Sequence, residues 1–204
     1  IRRQRQMCIR DRSDREDKVE YKDFKELILG ELDQSLAAVD GQEVRALTEM
    51  ILHAEKIFVT GVGRVFMMME AFAKRLNHLG IDAFCVGDVN EPAITEKDVL
   101  IAGSGSGESL IPLGLVKKAK QFGASVIHIG SNAKSSMAPY EDLFVRIPCR
   151  TKLDLPDEIE SAQIMSSLFE QSLLLLLDAA ALMIMQEEQI DDVDSLWEKH
   201  ANLE

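Results

Sequence analysis

Cysteine is scarce and scattered. Cys8, Cys85 and Cys149 stand far apart, with no CxxC pair and no histidines clustered near them. That spacing excludes a disulfide framework and a zinc site, and it suits a reducing compartment, where a free cysteine acts as a small buried hydrophobe. Positive charge is also short, with 23 Lys plus Arg against 35 Asp plus Glu, a net charge of −12 and a pI near 4.8. Nucleic acid is therefore excluded as the main partner, because phosphate backbones need clustered cations. A small anion is not excluded, since backbone N–H groups alone can hold one. Long apolar runs are missing as well. Residues 164–185 come nearest, but polar residues interrupt them, and their longest runs are 173–177 and 179–185. Both fall well below the roughly 18 residues of a membrane span, so this stretch reads as a buried helix in a soluble, cytoplasmic protein. Repeats and low-complexity linkers are absent too.

What is present fits one domain. A chain of 204 residues with 46% hydrophobic and 28% charged residues can bury a substantial core and is not disordered in composition. Residues 1–12 differ from the rest: five Arg and one Asp give +4, leaving −16 for the remaining chain. This basic segment lacks the apolar core of about 7–15 residues that a signal peptide carries. Residues 1–19 are expected to be a disordered or non-native tail, and residues 20–204 a single domain.

Hydrophobic spacing of three and four predicts two helices over residues 20–53, divided at Asp40-Gly41. The period then changes. Short β-branched or apolar runs at 56–60, 81–86, 98–102, 125–129 and 142–147 alternate with helical patterns that end at Gly80 and Gly123. A long helix is expected from Pro156 to about Gln186, and a last one over 193–200. Apolar strands alternating with helices mean a parallel sheet covered on both faces. The expected fold class is α/β, a three-layer α/β/α sandwich on a five-stranded parallel sheet of flavodoxin-like architecture, with added helices at both ends.

Two glycine loops occupy the place where such sheets bind ligands, the carboxyl end of a strand before a helix. The first, Gly61-Val62-Gly63-Arg64, falls short of GxGxxG because Met67 stands at the third glycine position. No acidic residue closes the second strand either, so a dinucleotide site fails on two counts. The second loop, Ser104-Gly105-Ser106-Gly107-Glu108-Ser109, puts three hydroxyls where a helix begins. Hydroxyls and backbone N–H groups converging there suit a phosphate monoester. The loop lacks the lysine of GxxxxGK[ST], which argues against a nucleoside triphosphatase. The plain alternatives are a tight turn for the first loop and an N-cap with a Ser/Gly turn for the second.

Together with residues 71–80, AFAKRLNHLG, and the final five residues, His200-Ala201-Asn202-Leu203-Glu204, these loops resemble the sugar isomerase (SIS) domain, and more narrowly the 6-phospho-3-hexuloisomerase family. The resemblance spans roughly residues 20–204. It implies a SIS fold, a phosphorylated-sugar substrate, no metal and no organic cofactor, a homodimer or homotetramer, and a place in carbohydrate metabolism such as formaldehyde assimilation. The implied reaction interconverts 3-hexulose 6-phosphate and fructose 6-phosphate. Two other readings stay open: a non-catalytic sugar-phosphate-binding SIS module, and a SIS enzyme acting on another phosphosugar.

Moving a carbonyl to its neighbouring carbon needs a base, a stabilised enediolate oxygen and a proton carrier between oxygens. Glu170 is the expected base. It lies in a polar set with Gln163, Ser167 and Gln171, spaced by three or four residues on an otherwise apolar helix, and it matches the family's glutamate. A structural carboxylate is the alternative. His78 matches the family's RLxHLG histidine and is expected to carry protons, across a subunit interface if need be; by itself it would read as a helix C-terminal cap. His200 and Gln163 are further candidates, whereas His53 and His128 have no comparable support. Gly61, Gly63, Arg64, Ser104, Gly105, Ser106, Gly107 and Ser109 are expected to bind substrate, Arg64 by neutralising phosphate or enediolate. The sequence departs from the family pattern at Val65, where serine is usual, at Phe66 and Glu91, and in 161–170, which lacks the usual Pro and Gly. Those departures bear on which sugar is accepted.

Overall fold

The computed structural model describes residues 20–203, so the expectation for residues 1–19 lies outside the described residues. Helix α1 (Tyr21–Ala37) opens with a reciprocal cap between Glu20 and Asp23, and α2 (Gly41–His53) opens where the Asp40 side chain accepts from the Gln42 N–H. The alternating part follows as β1 (Ile57–Thr60), α3 (Arg64–Leu79), β2 (Ala83–Cys85), β3 (Val99–Gly103), α4 (Leu110–Gln121), β4 (Ser125–Gly130) and β5 (Leu143–Arg146). Helix α5 (Ser167–Glu187) and a 3₁₀ turn at Asp194–Lys199 complete the chain.

All strand pairs are parallel, in the order β2-β1-β3-β4-β5. This is the expected α/β sandwich with its five-stranded parallel sheet. The order reverses between β1 and β3, and the crevice above such a switch point is where open α/β sheets take ligands. The two glycine loops leave those two strands.

Side chains alternate across the sheet. Ile57, Val59, Ile101, Ile127 and Ile129 face one core with α2, α3 and α5, whereas Phe58, Leu100, Ala102 and Val126 face a smaller core with α4. The helices from the two chain ends thus share one face. Helix α5 is long and apolar enough to cross a membrane by length and composition. Its apolar residues serve the core, with Leu173, Leu177, Ala180 and Ile184 buried against the neighbouring helices.

The start of α5 differs from the expectation. It begins at Ser167 rather than Pro156, because non-local hydrogen bonds hold residues 149–163 off helical geometry. Arg150 N–H donates to the Ile159 carbonyl and Ile159 N–H to that of Pro148. Glu31 on α1 accepts from the Ser161 hydroxyl, the Ala162 N–H and the Gln163 side-chain amide. Gln163 therefore leaves the polar stripe assigned to the helix; its partner is Glu31. Cys149 is a free, buried thiol beside the Ser35 hydroxyl, which also meets Ser172, and burial raises its pKa. Cys85 is also free, with its thiol pushed up to about 11 by burial and by Asp88 and Glu70.

Candidate active site

At the carboxyl edge of β3 the serine loop floors a cavity of about 210 Å³. Ser104, Gly105, Ser106 and Ser109 contribute to it, and Val62 from the other glycine loop and Val65 at the start of α3 form part of its wall. Residues ahead of α5 and at its start, Met165, Ser166 and Phe169, close the far side. A methyl group on Gly105 would come within 3.6 Å of the Phe169 ring, which shows how tightly α5 sits over the loop.

The loop makes its own turn first. Gly107 N–H donates to the Ser104 hydroxyl and Glu108 N–H to the Ser106 hydroxyl, so these oxygens serve as local acceptors while keeping their O–H groups to donate. Gly107 is held at φ +66, where a Cβ would lie 2.3 Å from that of Ser135. Only glycine fits there. Ser109 occupies the N-cap of α4 without making a side-chain cap bond, which leaves its hydroxyl for a ligand. Outside the loop, Glu108 accepts from the Ser136 N–H and hydroxyl, and these bonds hold its carboxyl below the usual range. Asn132 donates to the Ser106 carbonyl.

Arg64 and Glu170 meet beside this floor. Arg64 is the first residue of α3, exposed, and its Nε lies 2.5 Å from Glu170 Oε2 in the first turn of α5. Glu170 is 8% exposed. A carboxylate buried to that degree requires a charged or hydrogen-bonded partner, and the bond from Arg64 supplies it. Gly61 and Gly63 shape the turn that delivers Arg64; of the expected site residues, Gly61, Gly63, Arg64, Gly107 and Glu170 do not line the cavity itself.

His78 lies elsewhere. Fourteen residues of α3 separate it from Arg64, about 21 Å at 1.5 Å per residue. Its ring stacks on His200 at 5.3 Å, and both line a second cavity of about 560 Å³ with Arg75, Asp178 and Trp197. Burial, then Lys74, Arg75 and His200, lower the pKa of His78, and its Nε2 is buried without a hydrogen-bond partner. Within one chain, then, Arg64, Glu170 and the serine loop come together, while His78, His200 and Gln163 do not join them. Among the described residues, no three His, Cys, Asp or Glu side chains are grouped as a metal site.

Three contributors escaped the sequence reading. Thr151 and Lys152 line the cavity from an irregular segment that carries no motif. His128, on β4, donates through Nε2 to the Ser104 carbonyl at 2.9 Å; its place in a strand of β-branched residues was the available signal. Of the departures from the family pattern, Val65 does face the cavity. Glu91 instead closes a local turn by accepting from the Gly87 N–H and does not line the cavity.

Comparison with known proteins gives the same direction. Residues 50–183 match the model of the SIS domain. The chain is 38% identical to the 3-hexulose-6-phosphate isomerase of Bacillus subtilis (strain 168) across 87% of this chain and 95% of that protein. It is 33% identical to the 3-hexulose-6-phosphate isomerase of Mycobacterium gastri across 87% and 88%. Among solved structures, it superposes with a TM-score of 0.74 on a hypothetical protein of Methanococcus jannaschii whose crystal structure was taken to imply a molecular function of 3-hexulose-6-phosphate isomerase; that pair is 28% identical over 88% of this chain and 98% of the other. A serine-floored cavity at the sheet's switch point, matched along nearly the whole chain by these relatives, places the protein: it belongs to the SIS domain family, in the company of the 3-hexulose-6-phosphate isomerases.

Proposed function

We propose that the chain is a sugar-phosphate isomerase interconverting 3-hexulose 6-phosphate and fructose 6-phosphate. The observation that carries this reading is a buried carboxylate, Glu170, held by Arg64 beside a serine loop suited to phosphate. With the phosphate at Ser104, Ser106 and Ser109, the sugar carbons extend toward Arg64 and Glu170. Glu170 removes the proton from C2 of the 3-keto sugar, and the electron pair moves to O3 as an enediolate. Arg64, turning part of its fork from Glu170 to that oxygen, offsets the new charge. A proton passes from O2 to O3 and Glu170 returns its own to C3, giving the 2-keto sugar. Every proton is conserved, and the steps call for no cofactor.

His78 is assigned the transfer between oxygens, reached from a second copy of the chain because the length of α3 keeps it from its own cavity. Exposed apolar residues support such pairing: Tyr21 and Phe24 on α1, Leu182 on α5 and Trp197 are each more than half exposed. A homodimer or homotetramer follows, acting in the cytoplasm on a small phosphorylated sugar, with neither nucleic acid nor membrane as partner. Val65 in the cavity wall favours a second reading, an isomerase of the same mechanism that takes another phosphosugar.

The test is proton exchange. In D₂O the protein should move deuterium into C3 of fructose 6-phosphate and generate the 3-keto isomer, both visible by NMR. If a panel of ketose and aldose phosphates shows neither exchange nor turnover, the catalytic reading fails; binding without exchange would leave the SIS module. A stable monomer with full activity by light scattering would remove the intersubunit role of His78.

A further inference from the structure

Against the serine loop, and not among the residues that line the cavity, lies a fully buried imidazole. His128 has an oxygen acceptor at each ring nitrogen, the Ser104 carbonyl at 2.9 Å from Nε2 and Glu141 Oε2 at 2.8 Å from Nδ1. A carbonyl oxygen can only accept, so Nε2 carries the proton whichever way the Glu141 proton is shared. Glycines make the contact possible. A Cβ on Gly130 would sit 2.5 Å from His128 Nε2 and 2.6 Å from the Ser104 oxygen, and one on Gly107 would sit 3.0 Å from Cε1. Phe144 packs on the ring at 5.0 Å. His128 stands in register with Ala102 of β3 and Phe144 of β5, so the sheet itself fixes its position.

That contact decides where a donor points. The peptide between Ser104 and Gly105 is planar and trans, which sets its C=O and N–H in opposite directions. With the Ser104 carbonyl tied to His128, the Gly105 N–H is turned away from the ring, and Gly105 is one of the residues that line the cavity. Among the described residues, no group accepts a hydrogen bond from the Gly105 N–H. Gly105 is half-buried, and a backbone donor left open beside a cavity is free to take a partner from outside. We propose that His128, held by Glu141, is a positioning residue that locks and polarises the Ser104–Gly105 peptide so that the Gly105 N–H donates to the phosphate of the substrate. This rests on the reading of the serine loop as the phosphate site. Chains of hydrogen bonds strengthen each other in a low-dielectric interior, so the effect of Glu141 passes through the ring and the peptide to the phosphate.

The experiment uses the full chain, with fructose 6-phosphate and inorganic phosphate as probes. Removing His128 alone would strand Glu141, so the informative variant replaces both, His128→Leu with Glu141→Leu. KM for fructose 6-phosphate should rise at least tenfold while kcat stays within about threefold, and His128→Gln, which keeps one donor, should restore part of the loss. In wild-type protein the Gly105 amide proton should move downfield when inorganic phosphate is added. A double variant with wild-type KM would overturn the proposal. Should that variant fail to fold, a Gly105 amide that phosphate leaves unmoved would overturn it alone. Ser106→Ala separates the two levels. If it weakens binding while the His128 variants and the Gly105 amide show nothing, only the role of His128 is wrong; if it too has no effect, the loop is not the phosphate site and both ideas fall together.

Discussion

Arg64 and Glu170, 106 residues apart, are joined Nε to Oε2 at 2.5 Å, each next in sequence to a residue of the cavity wall, Val65 and Phe169. The pair brings the first residue of α3 against the first turn of α5 and gives a buried carboxylate its counter-charge. Under the proposed mechanism it also sets a condition on catalysis, since Glu170 would act as base once Arg64 turned to the substrate oxygen. Glu170→Gln keeps shape and hydrogen bonding but cannot take a proton. Turnover should fall by at least about 10²-fold, the lower end for a general base, with KM changed little. Arg64→Lys keeps the charge but loses the planar fork, and should lower kcat more than it raises KM. Near-normal turnover by Glu170→Gln on the best substrate would mean that another residue is the base.

The serine loop should account for phosphate affinity. Ser106 is buried, its oxygen accepts from Glu108 N–H, and its hydroxyl hydrogen is available to the ligand. Ser106→Ala removes one charge-assisted hydrogen bond, a loss of about 1–3 kcal/mol in binding. Calorimetry with several sugar phosphates checks it, and unchanged affinity for all of them would discard the site. A parallel fall for inorganic phosphate is expected if the loop holds the phosphate and not the sugar.

Much of this was legible in the sequence, for identifiable reasons. Strands such as residues 98–102 are buried on both faces and so read as continuous apolar runs, and the glycines that end α3 and α4 mark their boundaries. The serine loop was readable because its chemistry is local, six consecutive residues at a strand end. The polar stripe that points to Glu170 is shorter than the spacing predicts, because tertiary bonds to Glu31 take Gln163 out of the helix. Pro156 misled in the same way, as a helix-start signal overridden by long-range contacts. His128 offers only the weak signal of a histidine among β-branched strand residues, since its contact depends on strand order, and Thr151 and Lys152 lie on an irregular segment that carries no motif.

The lowered pKa of His78 gives a pH prediction with a definite sign. Burial, then the positive charges of Lys74 and Arg75, then His200, disfavour the imidazolium, so the folded value lies below the ordinary 6.5. The unfolded chain binds the proton more readily, and stability from this group is present above pH 6.5 and declines as pH falls toward the folded value. A neutral ring near pH 7 can accept a proton, as a shuttle must. The acid limb of kcat should therefore lie below pH 6.5 and disappear in His78→Asn, with a clear loss of turnover smaller than that of Glu170→Gln. An acid limb unchanged in His78→Asn would assign it to another group.

Glu31 tests whether the segment ahead of α5 matters to the cavity it borders. From α1 it accepts three hydrogen bonds, from Ser161, Ala162 and Gln163, and the chain then runs directly into Met165 and Ser166 of the cavity wall. Met165 is held at φ +56, a conformation unusual for a side-chain-bearing residue, and the Glu31 bonds just upstream help fix that turn. Burial alone would raise the Glu31 pKa, yet the bonds from Ala162, Ser161 and Gln163 prevail and lower it below 4.5. Its stabilisation is thus present above about pH 4.5 and lost as pH falls through the folded value. Glu31→Ala removes the acceptor, leaves three donors to water, and should cost about 1 kcal/mol, a fall in Tm of about 2–4 °C for a chain of this size. Because the cavity wall loosens while Glu170 and Arg64 stay in place, KM should rise severalfold with kcat largely kept. A variant with lowered Tm but wild-type KM would show that the segment supports the fold without shaping the site.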